Sequence, residues 1–159
     1  MMKFIGVAAS LAMLSACAVV YEGADAEIVE DDAAIFHRGS TWAPDASPPY
    51  SAMVSHDDVI YLAGMLGTDP ETRALPDGIA AQTANALGAI ERELKAVGAD
   101  LSDLLTCTCY LADIGDYQAF NAAYSAILTD NPPARTTIGV AGLPLGAAVE
   151  ISCIAARPE

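Results

Sequence analysis

Between Ile79 and Val97 the chain carries the pattern that most restricts its fold. Thr83, Leu87, Ile90, Leu94 and Val97 recur at steps of 4, 3, 4 and 3, which draws one apolar stripe along one side of an α-helix. Glu91, Arg92 and Lys95 fall off that stripe. Asp77 is a candidate N-cap, and Gly98 sits where a left-handed residue ends a helix. A helix with one apolar side must bury it against another layer, and the flanking segments say what that layer is.

Those segments are β-type. Ala33–Arg38 is a short strand, and 43–49 is a loop by its proline content. Ser51–Ser55 and Val59–Gly64 flank the turn-like His56-Asp57-Asp58 and read as a hairpin, followed by a loop over Thr68–Gly78. Leu104–Leu111 is a strand of branched and small residues. Asp113 is expected to open a second helix, with Asp116 completing a capping box. Tyr117, Phe120, Tyr124 and Ile127 line that helix's apolar side, and Asn131-Pro132-Pro133 ends it. Thr136–Ala141 and Ala147–Ala156 are two further strands. The order β, β-β, α, β, α, β, β predicts an α+β sandwich, a mixed sheet with both helices packed on one face.

With 159 residues, 53% of them hydrophobic, the chain has enough apolar material for one compact domain. Twenty-one acidic residues against seven basic ones give a net charge of −14, a field that repels polyanions and argues against nucleic acid as a partner.

The N-terminus reads as an address. Met1-Met2-Lys3 precedes an apolar run, Phe4–Leu14, of 11 residues. That is the form of an export signal, and it falls short of the roughly 20 residues a spanning helix needs. Leu14-Ser15-Ala16-Cys17 resembles a bacterial lipobox, so residues 1–16 are expected to be a lipoprotein-type signal peptide. Cys17 would then be the lipidated first residue of the mature chain, anchoring it to a membrane without a spanning helix. Ala18 after the cysteine resembles the outer-membrane sorting pattern, which places the protein in the periplasm on the outer membrane. A plain secretory signal cut nearby is the alternative. Residues 17–32 hold Glu22, Asp25, Glu27, Glu30, Asp31 and Asp32 and read as a solvated acidic tether. The folded domain is assigned to 33–159.

The familiar motifs of nucleotide, metal and triad chemistry are missing from the sequence. His37 and His56 have no acid at a spacing that would orient them, and they read as ordinary surface or loop residues. Cys107 and Cys109 stand two apart on one strand and share a face, with Cys153 on the last strand. Core packing, a cross-strand disulfide to Cys153 and a soft-metal site are the alternatives. Arg135 is the only basic residue between Lys95 and Arg157, and Glu150 lies inside an apolar strand. Either the two form a buried ion pair, or Arg135 grips a substrate carboxylate while Glu150 handles water. The second reading has them converge from neighbouring strands on one small pocket.

Pro133-Ala134-Arg135-Thr136, Gly142-Leu143-Pro144 and Val149-Glu150-Ile151 are together similar to the C-terminal signature of the Rid/YjgF family. These are the reactive-intermediate imine deaminases, also called L-PSP endoribonucleases. The resemblance runs over about Ala43–Arg157. It takes in Pro49-Tyr50, Leu62-Ala63-Gly64, the helix containing Gln82, and Asn121-Ala122-Ala123-Tyr124. It implies a chorismate-mutase-like α+β fold, a homotrimer with sites in the clefts between subunits, and cofactor-free, metal-free hydrolysis of 2-imino acids to 2-oxo acids and ammonia. It also implies roles. Arg135 would hold the substrate carboxylate and Glu150 would orient the attacking water. Tyr50, Asn121 and Thr137 fall at site positions, and Gly64 would let backbone approach the ligand. The chain departs from the family pattern at Ala63, where the deaminases usually carry serine, and at Thr137, where they commonly carry cysteine. The export signal is a third departure, because reactive imines arise mainly in the cytoplasm. A trimeric module that binds small carboxylates without turnover is the alternative function. RNA cleavage is disfavoured by the acidic charge.

Overall fold

The computed structural model describes residues 34–39 and 48–158. The expected signal peptide 1–16, the tether 17–32 with Cys17, and most of the 43–49 loop therefore lie outside the described residues.

Seven strands and two helices follow one another as β1 (Ala34–His37), β2 (Met53–His56), β3 (Val59–Leu62), β4 (Met65–Leu66), α1 (Ile79–Lys95), β5 (Leu104–Leu111), α2 (Tyr117–Ile127), β6 (Ala134–Gly139) and β7 (Val149–Ala156). The sheet order is β1-β2-β3-β7-β5-β6, and β4 continues along β7 beyond β3. Only the β5–β6 pair is parallel, so the sheet is mixed. The short β4 is the one strand the sequence pattern did not indicate. It forms where the chain resumes pairing with β7 after a break at Ala63-Gly64.

Side chains alternate across the sheet. Cys107, Cys109 and Leu111 on β5 and Val149, Ile151, Cys153 and Ala155 on β7 are buried on one face. On that face α1 contributes Leu87, Ile90 and Leu94, and α2 contributes Phe120 and Tyr124, to one continuous core. Among the described residues the other face carries no helix. There Phe36, Val54, Tyr61 and Ile154 stand in register across four strands, with Phe36 40% and Tyr61 48% exposed.

The expected stripe on α1 is the buried one: Thr83, Leu87, Ile90 and Leu94 are wholly inaccessible. Its start differs from expectation. Gly78 is the N-cap, with φ 82°, and the carboxylate of Asp77, one residue too early, makes no cap bond. Its end conforms. Gly98 takes φ +80° and Ala99 N–H closes onto Leu94 O at 3.0 Å. The buried Gln82 bridges two chain segments: its Nε2 donates to Pro76 O (2.9 Å) and its Oε1 accepts from Ala148 N–H (2.8 Å), where the chain enters β7.

Asp113 does not open α2. It caps a 3-10 turn, Ile114–Asp116, accepting from Gly115 N–H at 2.7 Å, and the tighter turn delays the helix to Tyr117. The capping box seen lies instead at Asp100–Asp103, ahead of β5.

Of the three readings for the cysteines, the register selects the disulfide for one pair. Cys107 and Cys153 face each other directly across β5 and β7 and are bonded, with 4.1 Å between their Cα atoms. Core packing describes Cys109 alone, which is a buried free thiol. By chain-entropy reasoning, a link across 46 residues stabilises the fold by about 4 kcal/mol.

Candidate functional site

β6 is the outer strand of the sheet, and α2 lies over its inner face. Arg135 is in register with Cys107 and so projects toward α2. Its Nη2 donates to Asn121 Oδ1 at 2.6 Å and lies 3.5 Å from the Tyr117 hydroxyl. The guanidinium carbon sits 4.7 Å from the ring centre of Tyr124, 5.1 Å from that of Phe120 and 5.9 Å from that of Tyr117. Three ring faces and one charge-assisted hydrogen bond hold the cation in place without neutralising it. Its Nη1 and Nε have no protein partner among the described residues. They leave open N–H donors on a cation that no acid neutralises among the described residues, a group that suits a carboxylate.

The neighbours of this cradle are polar but sealed. Thr137, two residues along β6 on the same face, pairs in register with Cys109. The Thr137 Oγ1 and Tyr124 Oη atoms are buried without a hydrogen-bond partner. Burial pushes the Cys109 thiol up to about 11 and the Tyr124 phenol up to about 12. Both therefore stay protonated at neutral pH, and neither is a ready nucleophile.

Glu150 belongs to a different surface. It is in register with Tyr110 on β5 and with Leu66 on β4, on the face that carries no helix. Gly64 lies beside it at the break between β3 and β4, where a Cβ would overlap the Glu150 carboxylate. The missing side chain makes room for Glu150, a more specific role than the expected access for a ligand. Ala63 precedes it, and its N–H donates to Ala52 O at 2.8 Å. Tyr50 is 59% exposed on the segment leading into β2.

The expectation that Arg135 and Glu150 converge from neighbouring strands fails within one chain. β5 lies between β6 and β7, and alternation sends the two side chains to opposite faces of the sheet. The same geometry removes the ion-pair reading. The candidate residues fall into two separate groups: Arg135 with Asn121 at the β6–α2 edge, and Glu150 with Gly64 on the open face. The histidines belong to neither. His37 lies on β1, at the opposite edge of the sheet, with Nε2 3.0 Å from Ser55 Oγ. His56 is exposed at the hairpin turn. No group of three His, Cys, Asp or Glu residues is placed to hold a metal ion among the described residues.

Sequence reasoning missed the aromatic cradle. Tyr117, Phe120 and Tyr124 were expected to be a core-facing stripe, and they are also the wall against which the strand's single cation is held. Asn121, one turn on from Tyr117 and one turn before Tyr124, was the available signal.

Known proteins share this arrangement of elements. Reactive Intermediate Deaminase A, chloroplastic, of Arabidopsis thaliana is 40% identical over 114 residues, 71% of this chain, and the chain spans 61% of that relative's length. The 2-iminobutanoate/2-iminopropanoate deaminase of Capra hircus is 41% identical over 116 residues, which are 72% of this chain and 85% of the relative. The crystal structure of the YjgF gene product from E. coli matches with a TM-score of 0.70 at 31% identity, over 77% of this chain and 98% of that one. Residues 40–157 match the family described as Endoribonuclease L-PSP. The chain, with its mixed sheet and two helices on one face, belongs to the endoribonuclease L-PSP (Rid/YjgF) family.

Proposed function

We propose that this protein hydrolyses small 2-imino acids, or their enamine tautomers, to 2-oxo acids and ammonia, at a site assembled from two copies of the chain. The observation that carries this reading is the Arg135 guanidinium, held by Asn121 and three rings with two donor nitrogens left open. Such a cation recognises a carboxylate. An imine carbon one bond away is already electrophilic, so the remaining need is a placed water and a proton acceptor. Glu150 of a neighbouring copy supplies the acceptor. Two relatives named for imine deamination support the same class of reaction.

In this reading a second copy joins the two half-sites, which lie on opposite faces of one chain, and it binds at the sheet face that no described helix covers. That face exposes Phe36, Tyr61 and Ile138 and carries Glu150. A heterologous contact from this face to the β6–α2 edge of the next copy, closing after three copies, would bury those side chains. It would also bring each Glu150 to an Arg135. In this reading Tyr50 and the main chain at Gly64 complete the wall opposite Arg135. Thr137 lines the floor.

Wild-type protein is expected to accelerate ammonia release from freshly generated 2-iminobutanoate above the buffer rate. Binding of 2-oxobutanoate with no acceleration would instead identify a carboxylate-binding module without turnover.

We place the protein in the periplasm, tethered through lipid on Cys17, with outer-membrane sorting suggested by Ala18. The Leu14–Cys17 tetrad supports this reading, and so does the Cys107–Cys153 disulfide, which suits an oxidising compartment. Intact mass of the membrane-fraction protein tests it. Wild type is expected to carry acyl chains on an N-terminal cysteine, and Cys17→Ser to retain the leader. A wild-type product of unmodified mass contradicts the anchor.

A further inference from the structure

Tyr117 opens α2 beside the Arg135 guanidinium. Its hydroxyl lies 3.5 Å from Arg135 Nη2, the same nitrogen that donates to Asn121 Oδ1 at 2.6 Å. Phe120 and Tyr124 are buried, whereas Tyr117 is 37% exposed and presents its hydroxyl beside the guanidinium. A carboxylate bound to the guanidinium therefore lies beside that hydroxyl. The other hydroxyls nearby are committed or turned away: Ser125 Oγ donates to Asn121 O at 2.8 Å. Ala63 has none, the Thr137 and Tyr124 oxygens are sealed, and Thr136 faces the other side of β6.

We propose that Tyr117 is a further catalytic residue of the hydrolysis proposed above, donating its phenol proton to the imine nitrogen as water adds to the adjacent carbon. The inference rests on that hydrolytic reading. In the first step the water oxygen bonds to the imine carbon and Glu150 of the neighbouring copy takes the water's proton. The C=N π pair moves to nitrogen, which takes the Tyr117 proton, giving a carbinolamine. In the second step the carbinolamine hydroxyl returns its proton to the tyrosinate as the carbonyl forms. The C–N bond breaks, and Glu150 returns its proton to the departing nitrogen. The products are a 2-oxo acid and ammonia, and both side chains end as they began.

The surroundings favour this role. The Asn121 hydrogen bond, then the hydrogen bond and charge of Arg135, hold the Tyr117 phenol below the usual tyrosine range. Arg135 faces it from β6, and Asp113 and Asp116 lie on the turn that leads into it. Cys109 from β5 and Tyr124 from α2 titrate only at about 11 and about 12. An alkaline limb below those values that Tyr117→Phe abolishes therefore reports Tyr117.

The test is steady-state hydrolysis of freshly generated 2-iminobutanoate between about pH 6 and about pH 10, for wild type and Tyr117→Phe, with 2-oxobutanoate affinity measured alongside. Tyr117→Phe keeps the ring over the guanidinium. It is expected to lower kcat about 100-fold, to abolish the alkaline limb seen in wild type, and to leave the 2-oxobutanoate Kd unchanged. Comparing the two proteins cancels the substrate's own titration. If Tyr117→Phe retains wild-type kcat and limb while wild type is active, Tyr117 has no catalytic part and the hydrolase reading stands. Parallel losses in kcat and affinity would reduce Tyr117 to positioning Arg135 and overturn the inference. A wild type with no activity above buffer removes both readings together.

Discussion

Arg135→Ala is expected to lower kcat/KM for 2-iminobutanoate by about 10²–10⁴-fold and to abolish measurable binding of 2-oxobutanoate. Two charge-assisted hydrogen bonds to a carboxylate, each contributing about 1.5–3 kcal/mol, set that range. The background field makes the loss more severe. The chain carries 21 acidic residues against seven basic ones, so an anionic substrate approaches against repulsion unless one local cation attracts it. The fold should tolerate the change, because Arg135 makes no ion pair among the described residues and Asn121, its hydrogen-bond partner, is only half-buried. An unchanged melting temperature with lost binding is the expected combination. Retained binding would mean that the guanidinium does not hold the substrate.

Glu150→Gln separates chemistry from binding. The amide keeps the size of the side chain and its place against Gly64 but accepts no proton at neutral pH. Turnover is expected to fall by about 10²–10³-fold, the usual range for removing a positioned base, with 2-oxobutanoate affinity unchanged. Equal losses in both would make Glu150 part of the binding wall. Because its half-site lies on the open sheet face, the variant should also associate as wild type does; sedimentation of the two proteins checks this.

The fold was legible wherever one face of an element is buried. The 4-3-4-3 spacing on α1 located its core side, and the β-type run Leu104–Leu111 matches β5 residue for residue. Both helices lie on one face of a mixed sheet, as the element order required. Legibility ended where local choices compete. Asp113 and Asp116 have capping-box spacing, but Gly115 between them favours the tighter turn. β4 is two residues long and exists only because β7 is there to pair with. Arg135 and Glu150 were readable as residues out of place in apolar strands. Their relation was not, because it depends on β5 passing between them and on the parity of two registers. The cysteines show the same limit: sequence put Cys107 and Cys109 on one face, and only the register chose Cys107 as the partner of Cys153.

With those registers, the proposed site cannot be complete within a single chain. Refolding Arg135→Ala together with Glu150→Gln in equal amounts, then measuring ammonia release from 2-iminobutanoate, tests it directly. In a closed ring, interfaces that join a chain keeping Arg135 to a chain keeping Glu150 are whole. They make up about one quarter of a random mixture. Activity is therefore expected to return to about one quarter of the wild-type value, although each variant alone is nearly inactive. A mixture no more active than its separate components would mean that both residues act within one chain, against the opposite faces on which β6 and β7 present them.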